Sequence, residues 1–125
     1  MNADFKHQVL TEKIIGVFYD VYNELGAGFL ESVYQESLAL ALESAGLAVR
    51  SRIDIPVWFR GHHVGQFEGD LLVENCVLLE LKAARALDPA HEAQLLNYLK
   101  STGIRVGILI NFGAHGKLEW KRFVR

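Results

Sequence analysis

Asp70, Glu80 and Lys82 are the residues whose types and spacing could do chemistry in this sequence. Asp70 opens one apolar run, Asp70-Leu71-Leu72-Val73, and Glu80 and Lys82 lie in a second, Val77-Leu78-Leu79-Glu80-Leu81-Lys82-Ala83. A charge inside a buried strand is costly unless it meets a partner, a metal ion or a proton. Side chains alternate along a strand, so Glu80 and Lys82 share one face while Leu81 turns to the other. Whether Asp70 joins them depends on the hairpin register. A two-residue turn at Glu74-Asn75 sets Asp70 opposite Leu79, whereas a three-residue loop from Glu74 to Cys76 sets it opposite Glu80. We expect the three-residue loop, with Asn75 the residue most tolerant of a left-handed backbone.

Two carboxylates and the main-chain carbonyl of Leu81 make a hard oxygen donor set, suited to Mg²⁺ or Mn²⁺ and poorly suited to softer metals. An ion there lowers the pKa of its bound water and neutralises charge building on a phosphate, and Lys82 can orient that water or stabilise the transition state. A Glu-x-Lys triplet alone is more often a structural pair on a sheet. The aspartate upstream, in an apolar run of its own, is what distinguishes this one.

The remaining candidates are weaker. His62 and His63 fall in an expected turn and have no Cys or carboxylate at ligand spacing. Cys76 has no histidine to activate it and is read as a structural thiol. Gly26 and Gly28 lack the lysine and spacing of a phosphate loop and read as a helix-helix turn. Trp58, Phe59 and Trp120 could serve an apolar interaction surface, but aromatics at strand positions are usually core.

The elements that must position the site follow from periodicity. From about Thr11, a candidate cap, to Leu25, the residues Ile14, Phe18, Val21, Tyr22 and Leu25 recur at helical spacing. A second helix is expected from Phe29 to Ala45, with Leu30, Val33, Tyr34, Leu38, Ala41 and Leu42 on one stripe and Gly46 ending it. Between Val49 and Ala83 three strands are expected, broken at Gly61-His62-His63 and Glu74-Asn75. Asp88-Pro89 supplies an N-cap and first-turn proline for a third helix through about Ser101, and Gly103 stops it. Arg105 to Asn111 reads as a buried strand and Leu118 to Val124 as an edge strand. The order ααβββαββ predicts an α/β fold, a central mixed sheet flanked by helices, and with no repeat or linker we expect one domain over residues 1–125.

A chain of 125 residues, 50% hydrophobic and 22% charged, can bury a core without disulfides, and its single cysteine cannot form one internally. No segment reads as a signal peptide or membrane span, so a cytoplasmic protein without a membrane partner is expected. The net charge of −2 is unlike that of proteins held to nucleic acid chiefly by phosphate contacts. Any such binding must use a local patch, with Arg50 and Arg52 or Lys121, Arg122 and Arg125 as candidates.

Asp70 with Glu80-Leu81-Lys82 resembles the PD-(D/E)XK nuclease signature, with Gly69 at the place of its loosely kept proline. Gly28-Phe29-Leu30-Glu31-Ser32-Val33-Tyr34 is similar to the motif of the GxxExxY protein family, which is assigned to that superfamily. The likeness runs on through His91-Glu92-Ala93-Gln94-Leu95-Leu96-Asn97-Tyr98-Leu99 to Asn111-Phe112-Gly113. It implies a PD-(D/E)XK restriction-endonuclease-like fold and metal-dependent hydrolysis of phosphodiester bonds, in DNA rather than RNA, with Mg²⁺ or Mn²⁺. It also implies that Glu31 joins Asp70, Glu80 and the Leu81 carbonyl at the metal. Gln94 and Tyr98, four apart and so on one helix face, look like the QxxxY motif of RecB-type nucleases. That likeness gives them, with His91 and Tyr34, a supporting or strand-positioning part. A second function class is a nuclease-like fold used as a binding or regulatory module, acting with a protein partner or as a homodimer.

Overall fold

A computed structural model describes residues 3–125, with side-chain surroundings from residue 7 onward. Its elements run α1 (Ala3–Leu25), α2 (Glu31–Ser44), β1 (Val49–Phe59), β2 (His62–Val73), β3 (Val77–Lys82), α3 (Pro89–Thr102), β4 (Val106–Asn111) and β5 (Glu119–Val124). The strands form one mixed sheet in the order β1-β2-β3-β4-β5. Only the β3–β4 pair is parallel, because α3 carries the chain back across the sheet between them.

The expected element order holds, with four local differences. The first helix begins at Ala3, so Thr11 lies inside it, and its hydroxyl donates to the His7 carbonyl instead of capping the helix (2.6 Å). The second helix starts at Glu31, two residues later than the periodicity suggests, because Leu30 is still extended. The β1–β2 turn is Arg60-Gly61, both left-handed (φ 49° and 79°), which is the two-residue hairpin geometry that matches strand twist. His62 and His63 therefore belong to β2 and not to the turn. Trp58 and Phe59, expected in the core, are exposed at the hairpin tip.

Two cores result. On one face of the sheet, α1 and α2 cover Leu71, Val73, Val77, Leu79, Leu81, Val106, Ile108 and Ile110. On the other, α3 places Leu95, Tyr98 and Leu99 against Ile55, Leu78 and Leu109. Leu79 and Leu81 thus face α1 and α2, and alternation sends Leu78, Glu80 and Lys82 toward α3.

The β1–β2 hairpin changes face partway along. Leu71 packs with the first core, but Gly69 faces Ile53, Ile55 and Leu78 of the second. The switch falls where Arg52, in the left-handed region (φ 55°), lies between the Ser51–Leu71 and Ile53–Gly69 pairs and so across from Asp70. A side chain at that φ is unfavourable, and the surrounding ladder holds it there. Gly69 fits this crossing because a Cβ would sit 3.0 Å from both Ile53 and Ile55.

Candidate active site

The β2–β3 loop has the odd length that the site requires. Val73 pairs with Val77 and Leu71 with Leu79, so Glu74, Asn75 and Cys76 form the loop and the next step sets Asp70 against Glu80. Asn75 takes the expected left-handed backbone (φ 56°), and Glu74 takes it as well (φ 52°).

Beyond Leu71 and Leu79 the regular ladder stops, and side chains replace it. The Glu80 carboxylate accepts from the Asp70 amide (3.1 Å), and the Asp70 carboxylate accepts from the Leu81 amide (2.7 Å). Each acid thus satisfies a backbone donor on the other strand, which keeps the strand ends apart at a fixed distance. The Leu81 amide points toward Asp70, and in a strand the carbonyl of the same residue points the same way. Both Asp70 and the Leu81 carbonyl therefore border the gap.

Electrostatics mark this pair as short of positive charge. Glu80 is only 3% exposed, and burial, then the neighbouring Asp70 charge, push its pKa up to about 8. The amide of Asp70 and the Lys82 charge oppose that rise without cancelling it. Asp70 is raised by burial too, offset in part by the Leu81 amide, its hydrogen bond with Glu80 and Lys82. Burial and mutual repulsion thus favour a proton held between the two acids. A hard divalent cation between them would take that proton's place, so the donor set fits such an ion.

Lys82 lies on the Glu80 face, and its ammonium donates to Gln94 Oε1 (3.0 Å). Gln94 Nε2 in turn donates to the Tyr98 hydroxyl (3.0 Å). The spacing of four residues along α3 thus sets up a relay that fixes the lysine. Burial and the charge of Glu80 raise the Tyr98 pKa, the hydrogen bond from Gln94 lowers it, and Asp70 adds to the rise.

The other expected site residues sit farther out. Glu31 is the first residue of α2 and largely exposed, yet it feels the site: burial and then Asp70 raise its pKa, while Lys82 and His91 pull it down. Among the described residues no three His, Cys, Asp or Glu side chains converge closely enough to hold one ion, so Glu31 stands at the rim of the Asp70–Glu80 pair. His91 closes a capping box on α3: Asp88 Oδ1 accepts from the His91 amide (3.3 Å), and the Asp88 amide donates to His91 Nδ1 (3.2 Å). Tyr34 is fully buried, so it touches no substrate; its hydroxyl donates to the Gly26 carbonyl and accepts from the Phe29 amide (3.3 Å). It thereby fixes the turn that delivers Glu31.

Two supporting residues have no site role in the sequence pattern. Gln35 Nε2 donates to the Asp70 carbonyl (3.2 Å), tying α2 to the site. Its position four residues after Glu31, on one helix face, was the available signal. Asn111 is fully buried, accepts from the amides of Ala84 (2.9 Å) and Gly113 (3.0 Å), and donates to the Ala84 carbonyl (2.9 Å) and to Glu119 (3.0 Å). It locks the chain leaving β3. A Cβ on Gly113 would lie 2.5 Å from the Ala83 and Ala84 backbone, so this close approach needs glycine. Phe112 between them stacks on Tyr34 (4.4 Å between centroids, 9° between planes). The Asn-Phe-Gly run is thus a strut that links the end of β3 to α2.

Among the candidate basic residues, two are paired with carboxylates and two donate to neutral oxygens. Arg52 pairs with Glu36 (3.5 Å), Lys121 with Glu92 (3.2 Å), and Arg122 and Arg125 turn to Thr11 and to the Leu99 carbonyl (both 3.3 Å).

A sheet that splays to present an aspartate opposite a Glu-x-Lys strand, with helices on both faces, defines a class. Residues 8–123 match the profile of the PD-(D/E)XK nuclease superfamily, and the chain belongs to that superfamily. Its nucleases generally use divalent metals. A crystal structure of SSO0001 shares the fold, with a TM-score of 0.61 and 15% identity over 75% of this chain. This chain spans about half of that one (49%). No curated protein sequence matches significantly. Among the described residues, no helix is long and apolar enough to cross a membrane.

Proposed function

We propose that this protein is a metal-dependent nuclease that hydrolyses phosphodiester bonds of DNA, with RNA as the alternative substrate. The observation that carries the reading is the reciprocal arrangement of Asp70 and Glu80 across the splayed strands, with Lys82 on the Glu80 face. Superfamily membership adds a fold in which such a site is used on nucleic acid.

In this reading Asp70, Glu80 and the Leu81 carbonyl would hold Mg²⁺ or Mn²⁺, and Glu31 would add its negative charge from the rim without joining them as a third converged carboxylate. The ion supplies a water of lowered pKa and a positive charge opposite the phosphate. With such an ion bound, Glu80 would ligate as the carboxylate. Lys82, steadied by Gln94 and Tyr98, presents its ammonium to the attacking water or to charge developing on a phosphate oxygen. His91 and Tyr34 act through the helices that they cap and anchor.

The experiment is cleavage of single- and double-stranded DNA and RNA with Mg²⁺, with Mn²⁺ and with chelator, by the wild type, Lys82→Ala and Asp70→Asn. Metal-dependent cutting absent from both variants is expected. Absence of cutting, together with no divalent-ion binding by calorimetry, overturns the proposal. Ion binding without cutting selects the second reading, a binding or regulatory module, which the net charge of −2 favours because it leaves little phosphate affinity to the chain alone.

A further inference from the structure

The tip of the β1–β2 hairpin reaches past the sheet, since β3 pairs only with Leu71–Val73 of β2. On the face that it shares with α3 the hairpin leaves a groove made of two adjoining hollows of about 480 and 310 Å³. Val57, Phe67, Asn97 and Ser101 line both hollows. The outer one continues to Trp58 and Lys100, and the inner one ends on Gln94 and Tyr98. Gln94 also accepts from Lys82, so the inner end of the groove and the candidate site share this residue.

Its aromatic residues are unusually open. Trp58 is 62% and Phe67 50% exposed, although each stands in a strand. Phe67 rests against the Tyr98 ring (5.6 Å, 39°) and Trp58 against His63 (5.2 Å, 47°), so the rings are braced while remaining accessible to solvent. Exposed aromatics braced in a row beside a cation suit flat, partly polar rings that arrive on a charged chain.

Resting on the nuclease reading, we propose that this groove binds a single strand of nucleic acid, with unpaired bases stacked on Phe67 and Trp58 and a phosphate near Lys100. Three observations select this occupant. The groove ends on Gln94 and Tyr98, the residues that steady Lys82. Stacking needs base faces that an intact duplex hides. And with a net charge of −2, and with Arg52 and Lys121 each paired to a glutamate, stacking is expected to supply more of the affinity than phosphate contacts do. The substrate class is therefore single-stranded ends, loops or flaps.

Fluorescence anisotropy with a labelled oligothymidylate of about twelve nucleotides and with a duplex of equal length tests this in chelator, where cleavage cannot contribute. The single strand is expected to bind more tightly than the duplex. Trp58→Ala and Phe67→Ala should each weaken it by about tenfold, with Trp58→Phe restoring most of the loss. The salt dependence should be shallow, that of one or two phosphates, with a log–log slope of about −0.7 to −1.4. Equal affinity for both substrates, or single-strand binding indifferent to both aromatic truncations, overturns the proposal. So does sedimentation showing a wild-type dimer that Trp58→Ala and Phe67→Ala make monomeric, since the patch is then a contact between copies. Because binding is read without metal, failure here leaves the cleavage test standing, and the reverse also holds.

Discussion

The two faces of the sheet divide the work of this molecule. Among the described residues, the face under α1 and α2 holds a core of eighteen buried side chains and includes Leu79 and Leu81 from β3. The face under α3 holds six, and there the same strand presents Glu80 and Lys82. A single strand, alternating side chains at every step, feeds a dry core on one side and a charged site on the other. Stability and chemistry can therefore be disturbed separately, although the residues concerned are neighbours in sequence.

The largest expected effect falls on the site face. If the proposed chemistry operates there, Lys82→Ala lowers the cleavage rate on the order of 10²–10³-fold while thermal unfolding moves little, because the lysine is half-buried and hydrogen-bonded to a single side chain. One residue away, Leu81→Ala deletes a fully buried side chain from the other face and should destabilise the fold by about 2–5 kcal/mol, read by denaturant unfolding. Equal losses of stability in the two variants would show that the faces are one unit.

Glu80 sharpens the comparison because its burial works against the fold. Its pKa is about 8 in the folded chain against an ordinary 4.5, so between those values the folded state binds more protons than the unfolded one. Stability from this group is complete below about pH 4.5 and declines as pH rises toward 8. Glu80→Gln keeps an acceptor for the Asp70 amide and removes the charge. Its melting temperature should exceed that of the wild type by roughly 5 °C at pH 8 and match it near pH 5, while cleavage is lost. A wild type whose stability rises between pH 5 and pH 8 relative to the variant contradicts the assigned direction.

The same division explains what could be read from the sequence. Alternation within Val77–Ala83 separates Glu80 and Lys82 from Leu81, and loop length fixes whether Asp70 meets them, so the heart of the site was legible. The Asp88-Pro89 start and Gly103 stop of α3 were legible for a similar reason, since local rules of capping decide them. What escaped depends on distant partners. Gln35 and Asn111 act on backbone groups 35 and 27 residues away, and no local pattern announces such a bond. Trp58 and Phe59 follow a buried-strand composition, but the hairpin carries them past the cover of α3. Arg52 reads as an ordinary strand residue, although its left-handed backbone lets β1 change face opposite Asp70.

Gln35 supplies the smallest and most discriminating test, because it crosses the divide. It belongs to α2, the helix of the larger core, and its side chain donates to the carbonyl of Asp70 at the site (3.2 Å). One neutral hydrogen bond at a half-buried position contributes about 1 kcal/mol, so Gln35→Ala should lower the melting temperature by a few degrees. Cleavage should fall less than tenfold, since the Leu81 amide still holds the Asp70 carboxylate (2.7 Å). A loss as deep as that of Asp70→Asn would mean that α2 sets the position of the aspartate, and the site would then depend on the packing of the opposite face. A loss near zero would leave β3 as sufficient support for Asp70, since Glu80 and the Leu81 amide bind it from one strand whose register is fixed by β4 on its other side.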